Sequence, residues 1–355
     1  MNRQWPDVRH ALADWKLVAL ALAAILCGSQ DLAAQELQIG IIDFFGLNRV
    51  TLEQARGALT FKEGDSISYP GVELPPTVAE SEIRLSKLPG VVRAHAYTVC
   101  CDNGRFIVYV GIEERDAPTL RLRAEPAGKA RLAADLIEAG AEFSKAFLLA
   151  IQRGDFAEDR SQGHALFADP ATRAIQERFL IYAKRDLTQL RLVLRTSFDP
   201  TQRALAAQVL GYAADKQAVV DDLVYGMTDP FGEVRNNAMR ALVLFGEMVP
   251  AANRPLRIPY DPFIAFLNSP VWTDRNKASV ALMTLSASRD ASLLARLRKD
   301  ALVPLVEMAR WKSEGHARPA FDILARMTGY SDDAAKAAWE RGERELVIGA
   351  ALRRQ

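Results

Sequence analysis

The stretch DPFGEVRNNAMRALVLFG at residues 229–246 decides how the larger part of the chain is interpreted. Its Asp-Pro pair predicts a helix start, because aspartate caps helices and proline at the first helical position lacks only an N–H that would stay unpaired. Arg235, Ala238 and Leu242 follow at helical spacing. The same spacing follows Asp199-Pro200, where Arg203 lies 32 residues before Arg235. A repeat of this length predicts paired helices that stack side by side.

Further copies extend the repeat in both directions. Asp274-Arg275 continues it after an insertion with four prolines between residues 250 and 262, and weaker copies lie around Arg173 and Ala317. Second apolar helices follow, for example at residues 216–227 and 290–305. The pattern resembles HEAT repeats of the bacterial, lyase-like type over residues 170–330. The resemblance implies an all-α solenoid of stacked antiparallel helix pairs, in which repeating arginines pair with neighbouring aspartates, and no paired strands beyond Arg123.

Strand patterns are confined to a shorter region, residues 36–116. An apolar run at 38–45 predicts a buried strand, and helices are predicted after Thr51 and after Thr77, the second with a capping box to Glu80. Residues 91–99 and 105–113 predict a hairpin around Asn103-Gly104. The later hairpin strand is apolar on both faces, so we expect it to be central and the earlier one to lie at the sheet edge. The order is β-α-α-β-β, a three-stranded sheet with both helices on one face.

These elements resemble a POTRA (polypeptide-transport-associated) domain. The matching motifs are Ile42-Asp43-Phe44-Phe45-Gly46, the turn Glu63-Gly64-Asp65, Leu85-Ser86-Lys87-Leu88-Pro89-Gly90-Val91, and the strand end Gly111-Ile112-Glu113-Glu114. The resemblance implies a bacterial envelope protein, as in outer-membrane assembly, two-partner secretion and cell division. Those families usually continue into a β-barrel or a second β-domain, whereas helical patterns follow here, which argues against a transporter.

The N-terminal residues predict export. Arg3, Arg9 and Lys16 precede an apolar run at residues 17–27, which is shorter than the roughly 20 residues that span a bilayer and fits a signal peptide over residues 1–35. We expect cleavage that leaves a mature N-terminus between Gln30 and Glu36, and a periplasmic or secreted protein. An inner-membrane anchor formed by residues 17–27 is the alternative. Lipidation of Cys27 is disfavoured, because a lipobox needs a small residue where Leu26 stands.

Composition and motifs argue against catalysis and nucleic-acid binding. Forty-five basic side chains (Lys+Arg 45) nearly balance 44 acidic ones, and a net charge of +1 lacks the basic excess of nucleic-acid surfaces. The histidines have no nucleophile partner in sequence, and no phosphate-binding glycine loop or zinc spacing occurs. We therefore predict no enzyme activity, no cofactor and no metal. The redox state of the adjacent Cys100 and Cys101 stays open.

The predicted organisation is a signal peptide (1–35), a POTRA-like domain (36–116), a helical linker (117–168) with a long amphipathic stretch at 127–152, and a HEAT-like solenoid (169–349). The predicted function is that of an envelope adaptor or scaffold that binds other polypeptides. A chaperone for secretion or outer-membrane assembly, and a lyase-like repeat enzyme, are the alternatives.

Two surfaces are predicted to bind polypeptides. One is the edge strand, where unpaired backbone donors such as that of Ala96 would accept an extended peptide. The other is the concave side of the solenoid. An alternative is that the edge is covered by the proline-rich loop 69–76 or by the helix after Pro126. The candidate contact residues are Arg93, His95, Tyr97, Lys216, Asp222 and Tyr225.

Overall fold

The computed structural model describes residues 35–69, 75–155, 157–248 and 256–353, which form a mixed α+β fold dominated by helices. The predicted combination of an N-terminal α+β part with a long helical part is confirmed at this level. The described chain divides into two compact units, unit 1 with residues 35–119 and 264–353, and unit 2 with residues 120–263. The predicted export segment, residues 1–34, lies outside the described residues. No helix in the described ranges combines the length and apolar character that a membrane crossing needs.

The elements of the described chain have the following bounds. The strands are β1 (Gln35–Phe45), β2 (Ser66–Tyr69), β3 (Val91–Asp102), β4 (Arg105–Glu114), β5 (Glu158–Asp159) and β6 (Leu166–Phe167). The helices before residue 260 are α1 (Leu52–Gly57), α2 (Pro76–Ser86), α3 (Ala134–Gln152), α4 (Pro170–Arg185), α5 (Leu187–Thr196), α6 (Pro200–Leu210), α7 (Val220–Met227) and α8 (Gly232–Glu247). The later helices are α9 (Asp261–Phe266), α10 (Trp272–Leu285), α11 (Ala291–Asp300), α12 (Leu302–Ala309), α13 (Glu314–Met327), α14 (Asp332–Glu340) and α15 (Arg344–Arg353).

The sheet of unit 1 has four strands in the order β2-β1-β4-β3. β1 and β4 are parallel, and the other two pairs are antiparallel. The predicted positions of β4 inside the sheet and β3 at its edge are confirmed. The predicted β-α-α-β-β order was wrong by one strand. Residues Ser66–Tyr69 stood in a region interpreted as turn and loop, but pairing with β1 supplies a strand's hydrogen bonds there.

One face of the sheet is covered by α1 and α2, as predicted. Apolar side chains of β1 and β4, including Ile42, Phe44, Val108 and Val110, form a core with residues of the two helices. Thr51 caps α1 through a capping box with Gln54. The capping box predicted at Thr77 is absent, because α2 begins one residue earlier, at Pro76, and its cap has no side-chain hydrogen bond.

The opposite face of this sheet is covered by helices from the C-terminal part of unit 1. Tyr109 of β4 stacks on Trp272 with ring centroids 5.1 Å apart and contacts Trp311 at 4.9 Å. The approach is close, since a Cβ on Gly111 would lie 2.1 Å from the carbonyl oxygen of Pro270. The predicted boundaries made residues 36–116 a domain by themselves, whereas in the structure they share unit 1 with residues 264–353.

Polar contacts hold the same helices to β1. The Glu307 carboxylate accepts the N–H of Gly46 at 2.7 Å and pairs with Arg275 at 2.6 Å. Asp43 accepts the backbone N–H of Lys312 at 2.8 Å, and burial raises the pKa of this carboxyl although that hydrogen bond opposes the change. Ring stacking and charged hydrogen bonds therefore join two parts of the chain more than 160 residues apart.

The repeating arginines have a structural role. Arg203 donates to the carbonyls of Ser197 and Phe198, and Arg235 to those of Asp229 and Pro230, so each binds the loop that precedes its own helix. The predicted arginine–aspartate ladder is confirmed for Arg203, which pairs with Asp229.

Two expectations for unit 2 were wrong. The strands β5 and β6 pair antiparallel, although no paired strands were expected beyond Arg123; this small hairpin lies in the segment interpreted as a loop of the linker. Helix α8 begins at Gly232 rather than at Pro230, because the Asp229 carboxylate accepts the N–H of Phe231 and is also used by arginines.

A long extended segment precedes the helices of unit 2. The amphipathic stretch predicted from residue 127 becomes helical only at Ala134. Residues 120–133, here called the strap, instead lie against the loops that join the helices. Gly128 forms a parallel bridge with Ser197, where a Cβ would lie 2.4 Å from the carbonyl oxygen of Thr196. Because the close backbone contact at Gly128 holds the strap extended, the helix begins only after it.

Candidate functional site

The edge strand β3 is twelve residues long, and among the described strands it pairs only with β4, so its other side has no strand partner. In an antiparallel pair, alternate residues point their N–H and C=O groups away from the partner strand. Ala96 is one of these, because its N–H donates to the Glu82 carboxylate of α2 at 2.7 Å. Thr98 lies two residues further on and is outward by the same alternation. The Thr98 N–H donates to no acceptor outside the sheet among the described residues.

The Glu82 contact corrects the prediction for Ala96. Its backbone donor is already occupied by the chain itself, and a charged side chain placed at a sheet edge is a common protection against unwanted pairing. The predicted loop 69–76 lies largely outside the described residues, and α2 supplies the observed protection. The part of the edge around Thr98 is therefore the better place for an incoming strand.

Arg93, His95 and Tyr97 lie on one face of β3, as predicted from their alternation with Ala94 and Ala96. Arg93 is exposed but pairs with Glu113 of β4, with nitrogen–oxygen distances of 2.6 and 2.9 Å. His95 lies 3.8 Å from the Glu82 carboxylate and contacts the Tyr97 ring at 6.1 Å. The structure brings these side chains together along the edge, with Arg93 already neutralised by its neighbour.

The second predicted surface is mostly buried. Lys216 and Asp222 are each only 7% exposed, so the expectation that they line an open concave side was wrong. Asp222 accepts hydrogen bonds from Arg191 at 2.8 Å and from Arg195 at 2.8 Å. Its carboxylate is the acceptor of an internal ion-pair network, and these two arginines compensate for its burial.

Lys216 lies in an unusual environment for a lysine. Its amine donates to the carbonyl of Gly211 at 3.0 Å, lies 3.4 Å from Nδ1 of His164 and stands over the Phe245 ring at 5.1 Å. Burial lowers the pKa of Lys216 to about 8. Burial and the nearby Lys216 charge lower the pKa of His164 to about 4. The pair therefore holds fewer protons when folded than when unfolded over much of the accessible pH range.

Tyr225 lies between two guanidinium groups. Arg123 and Arg195 each stand 4.5 Å from the centroid of its ring, in the geometry of cation–π contacts. Arg195 is held there by Asp222, and Arg123 belongs to the strap. Tyr225 thus contacts a segment of its own chain, and its predicted contact with another polypeptide stays a prediction.

The contact with Arg123 belongs to a longer groove on unit 2, here called the strap groove. Its centre is Asp229, which is fully buried and pairs with Arg203 through two hydrogen bonds of 2.8 and 2.9 Å. Arg123 donates to the same carboxylate, and also to the carbonyl of Leu194 at 3.3 Å. Sequence reasoning singled out Asp229 and Arg203 for the repeat but missed Arg123, since nothing marks it as their partner.

Backbone hydrogen bonds hold the rest of the strap. The N–H of Arg123 donates to Thr228 at 2.9 Å, and the carbonyl of Gly128 accepts the N–H of Phe198 at 2.7 Å. The N–H of Leu132 donates to the Gln202 side chain at 2.8 Å, and the Leu132 side chain is buried. The residues between these three anchors are largely exposed. This arrangement is that of an extended peptide bound in a groove.

No arrangement typical of a metal centre is present: the described ranges contain no group of three or more His, Cys, Asp or Glu side chains placed to hold an ion. His316 is buried beside Tyr109, whose hydroxyl lies 2.7 Å from its Nδ1. The Trp272 and Trp311 rings complete that cluster, which packs β4 against the C-terminal helices of unit 1.

A scan against protein-family models, a search of curated proteins and a search of solved structures each found no match to this chain. The resemblances to POTRA domains and HEAT repeats therefore rest on the motifs in the sequence, and they stay predictions.

Proposed function

We propose that this chain is an exported envelope protein that binds other polypeptides as a non-enzymatic adaptor. The observation that carries the proposal is the position of β3, a long strand at the edge of a sheet that is packed on both faces. Such a sheet is held rigidly, and its edge offers a row of backbone groups to an extended segment.

The side chains near this edge suit polypeptide recognition. Val92 is 57% exposed at the start of β3, and His95 and Tyr97 follow on the strand. A strand that added here would bind through Thr98 and its neighbours and would have these side chains to contact. The predicted POTRA-like character of residues 36–116 supports the same use, since that module is named for polypeptide transport.

Two further parts of the proposal concern the helices and the compartment. We propose that the helices from residue 169 onward are HEAT-like repeats forming a solenoid, supported by the equivalent loop contacts of Arg203 and Arg235. Export is supported by the charge and apolar pattern of residues 1–35. Intact-mass measurement of the protein from an envelope fraction tests export, with a mature N-terminus expected between Gln30 and Glu36.

The binding surface is tested by crosslinking from position 92 in cells. Thr98→Pro removes an outward N–H without touching the ladder to β4, and proline is tolerated at such edge positions. We expect the crosslinked partners to fall at least tenfold in this variant. Thr98→Ala is the matched control, because it keeps the N–H and should keep the partners.

The outcomes separate the alternatives. Retention of the whole partner set by a folded Thr98→Pro variant would refute β3 as the docking edge. Partners consisting of unfolded outer-membrane proteins would favour the assembly-factor alternative. A covalent chromophore adduct in the intact mass would favour a lyase-like enzyme over an adaptor.

A further inference from the structure

The strap groove has the chemistry of a peptide-binding site. Three anchors, namely Arg123, Gly128 and Leu132, enter it at fixed spacing, while most residues between them face solvent. Each anchor meets a different feature. Arg123 meets a buried carboxylate, Gly128 lies too close to the Thr196 carbonyl for a side chain, and Leu132 is buried with its N–H bonded to the Gln202 side-chain oxygen. Packing of a simple linker would not require such specific complements.

Charge complementarity supports this interpretation. The strap carries four basic side chains, Arg121, Arg123, Lys129 and Arg131, against one acidic side chain, Glu125. The groove offers Asp229 and Asp199. Burial alone would raise the pKa of Asp199. Hydrogen bonds from Gln202 and Thr201 and the nearby Arg131 charge outweigh burial and lower the pKa below its ordinary value, so the carboxylate stays ionised beside the strap.

The groove remains electrostatically complete when Arg123 is removed. Asp229 keeps its two hydrogen bonds to Arg203, which is itself fully buried and bonded to two loop carbonyls. Arg123 is therefore an added contact on an existing pair, and the folded unit does not depend on it to compensate a buried charge. A site with this property can release one occupant and accept another.

We infer that the strap groove of unit 2 is a binding site for an extended, arginine- and leucine-bearing segment of another polypeptide, and that residues 120–133 occupy it in cis. The inference extends the proposed polypeptide binding to a second surface. A tethered segment has an effective concentration near the millimolar range, so it excludes a competitor of equal intrinsic affinity. Partner binding then requires displacement of the strap, which makes the strap an autoinhibitory segment.

The test uses a labelled synthetic peptide with the sequence of residues 120–133, LRLRAEPAGKARLA, and fluorescence anisotropy with the full chain. Arg123→Ala in the protein weakens the strap and leaves the groove intact. We expect this variant to bind the peptide at least tenfold more tightly than the unsubstituted protein. A peptide carrying Arg123→Ala should bind the variant at least tenfold more weakly, since it lacks a charge-assisted hydrogen bond.

A second variant guards against a folding defect. Gly128→Ala places a Cβ against the Thr196 carbonyl and should lift the strap while every groove side chain stays in place. Absence of peptide binding to both variants, with circular dichroism unchanged, would overturn the inference. Equal binding by the Arg123→Ala peptide would also overturn it. This assay is independent of β3, so its failure is distinguishable from loss of partners in Thr98→Pro.

Discussion

Replacing Tyr109 by alanine tests whether the N-terminal sheet and the C-terminal helices of unit 1 fold as one body. Tyr109 is fully buried, stacks on Trp272 and donates or accepts a hydrogen bond with His316 at 2.7 Å. Truncating a buried aromatic side chain costs about 3–5 kcal/mol. The lost hydrogen bond leaves a buried imidazole nitrogen without this partner, which adds about 1 kcal/mol. The expected loss in the free energy of unfolding is about 4–6 kcal/mol.

Urea unfolding followed by tryptophan fluorescence measures this loss in unit 1 alone. Trp272, Trp311 and Trp339 lie in unit 1, and residues 120–263 contain no tryptophan. Trp5 and Trp15 lie outside the described residues. With a denaturant slope of about 2 kcal/mol/M, the fluorescence midpoint should fall by about 2–3 M.

Two comparisons make the result interpretable. Tyr109→Phe removes only the hydroxyl, so it should lose about 1–2 kcal/mol. Val92→Ala changes an exposed side chain of the same sheet and should stay within about 0.5 kcal/mol of the parent. If Tyr109→Ala leaves the emission maximum and the fluorescence midpoint unchanged, the helices do not depend on the sheet, and the description of unit 1 as one body is wrong.

Four further predictions follow from single contacts. Asp229→Ala leaves the buried Arg203 without its carboxylate and should cost about 3–5 kcal/mol by thermal circular dichroism; a loss below about 1 kcal/mol would contradict the ladder. Leu242→Asp buries an unpaired carboxylate and should lose the cooperative helical melt of unit 2, by several kcal/mol. The pKa of His164 is about 4 when folded and about 6.5 when unfolded, so stability is lost as pH falls from 6.5 towards 4. The free energy of unfolding from urea titrations should therefore be about 2 kcal/mol lower at pH 4.5 than at pH 7.5, and His164→Gln should remove this difference. Burial alone would raise the pKa of Glu114, but hydrogen bonds from three backbone N–H groups outweigh it and lower the pKa below 4.5; Glu114→Gln should therefore cost about 1–3 kcal/mol at pH 7, and this cost should shrink as the pH falls below 4.5.

Local rules determined much of the secondary structure from sequence. The Asp199-Pro200 pair starts α6, and Asp199 caps it as its residue type predicts. Asn103-Gly104 joins β3 and β4, with Asn103 in the left-handed conformation that such a turn requires. The two-sided apolar character of residues 106–110 placed β4 inside the sheet. These features depend on neighbours within a few positions, so the order of residues contains the necessary information.

Contacts between distant segments decided what the sequence left undetermined. Lys216 and Asp222 have the polar side chains of a surface, but the fold buries them: Arg191 and Arg195 donate to Asp222, and Lys216 lies against His164. The strap has helical composition in its second half, yet Gly128 and Arg123 make better contacts when extended against loops that lie 69 to 105 residues later. The second face of the sheet is likewise covered by Trp272 and Trp311, whose partner Tyr109 is far away in sequence. Burial of an apolar face is dictated by local pattern, but the segment that buries it is selected by packing of the whole chain, and only the tertiary structure records that selection.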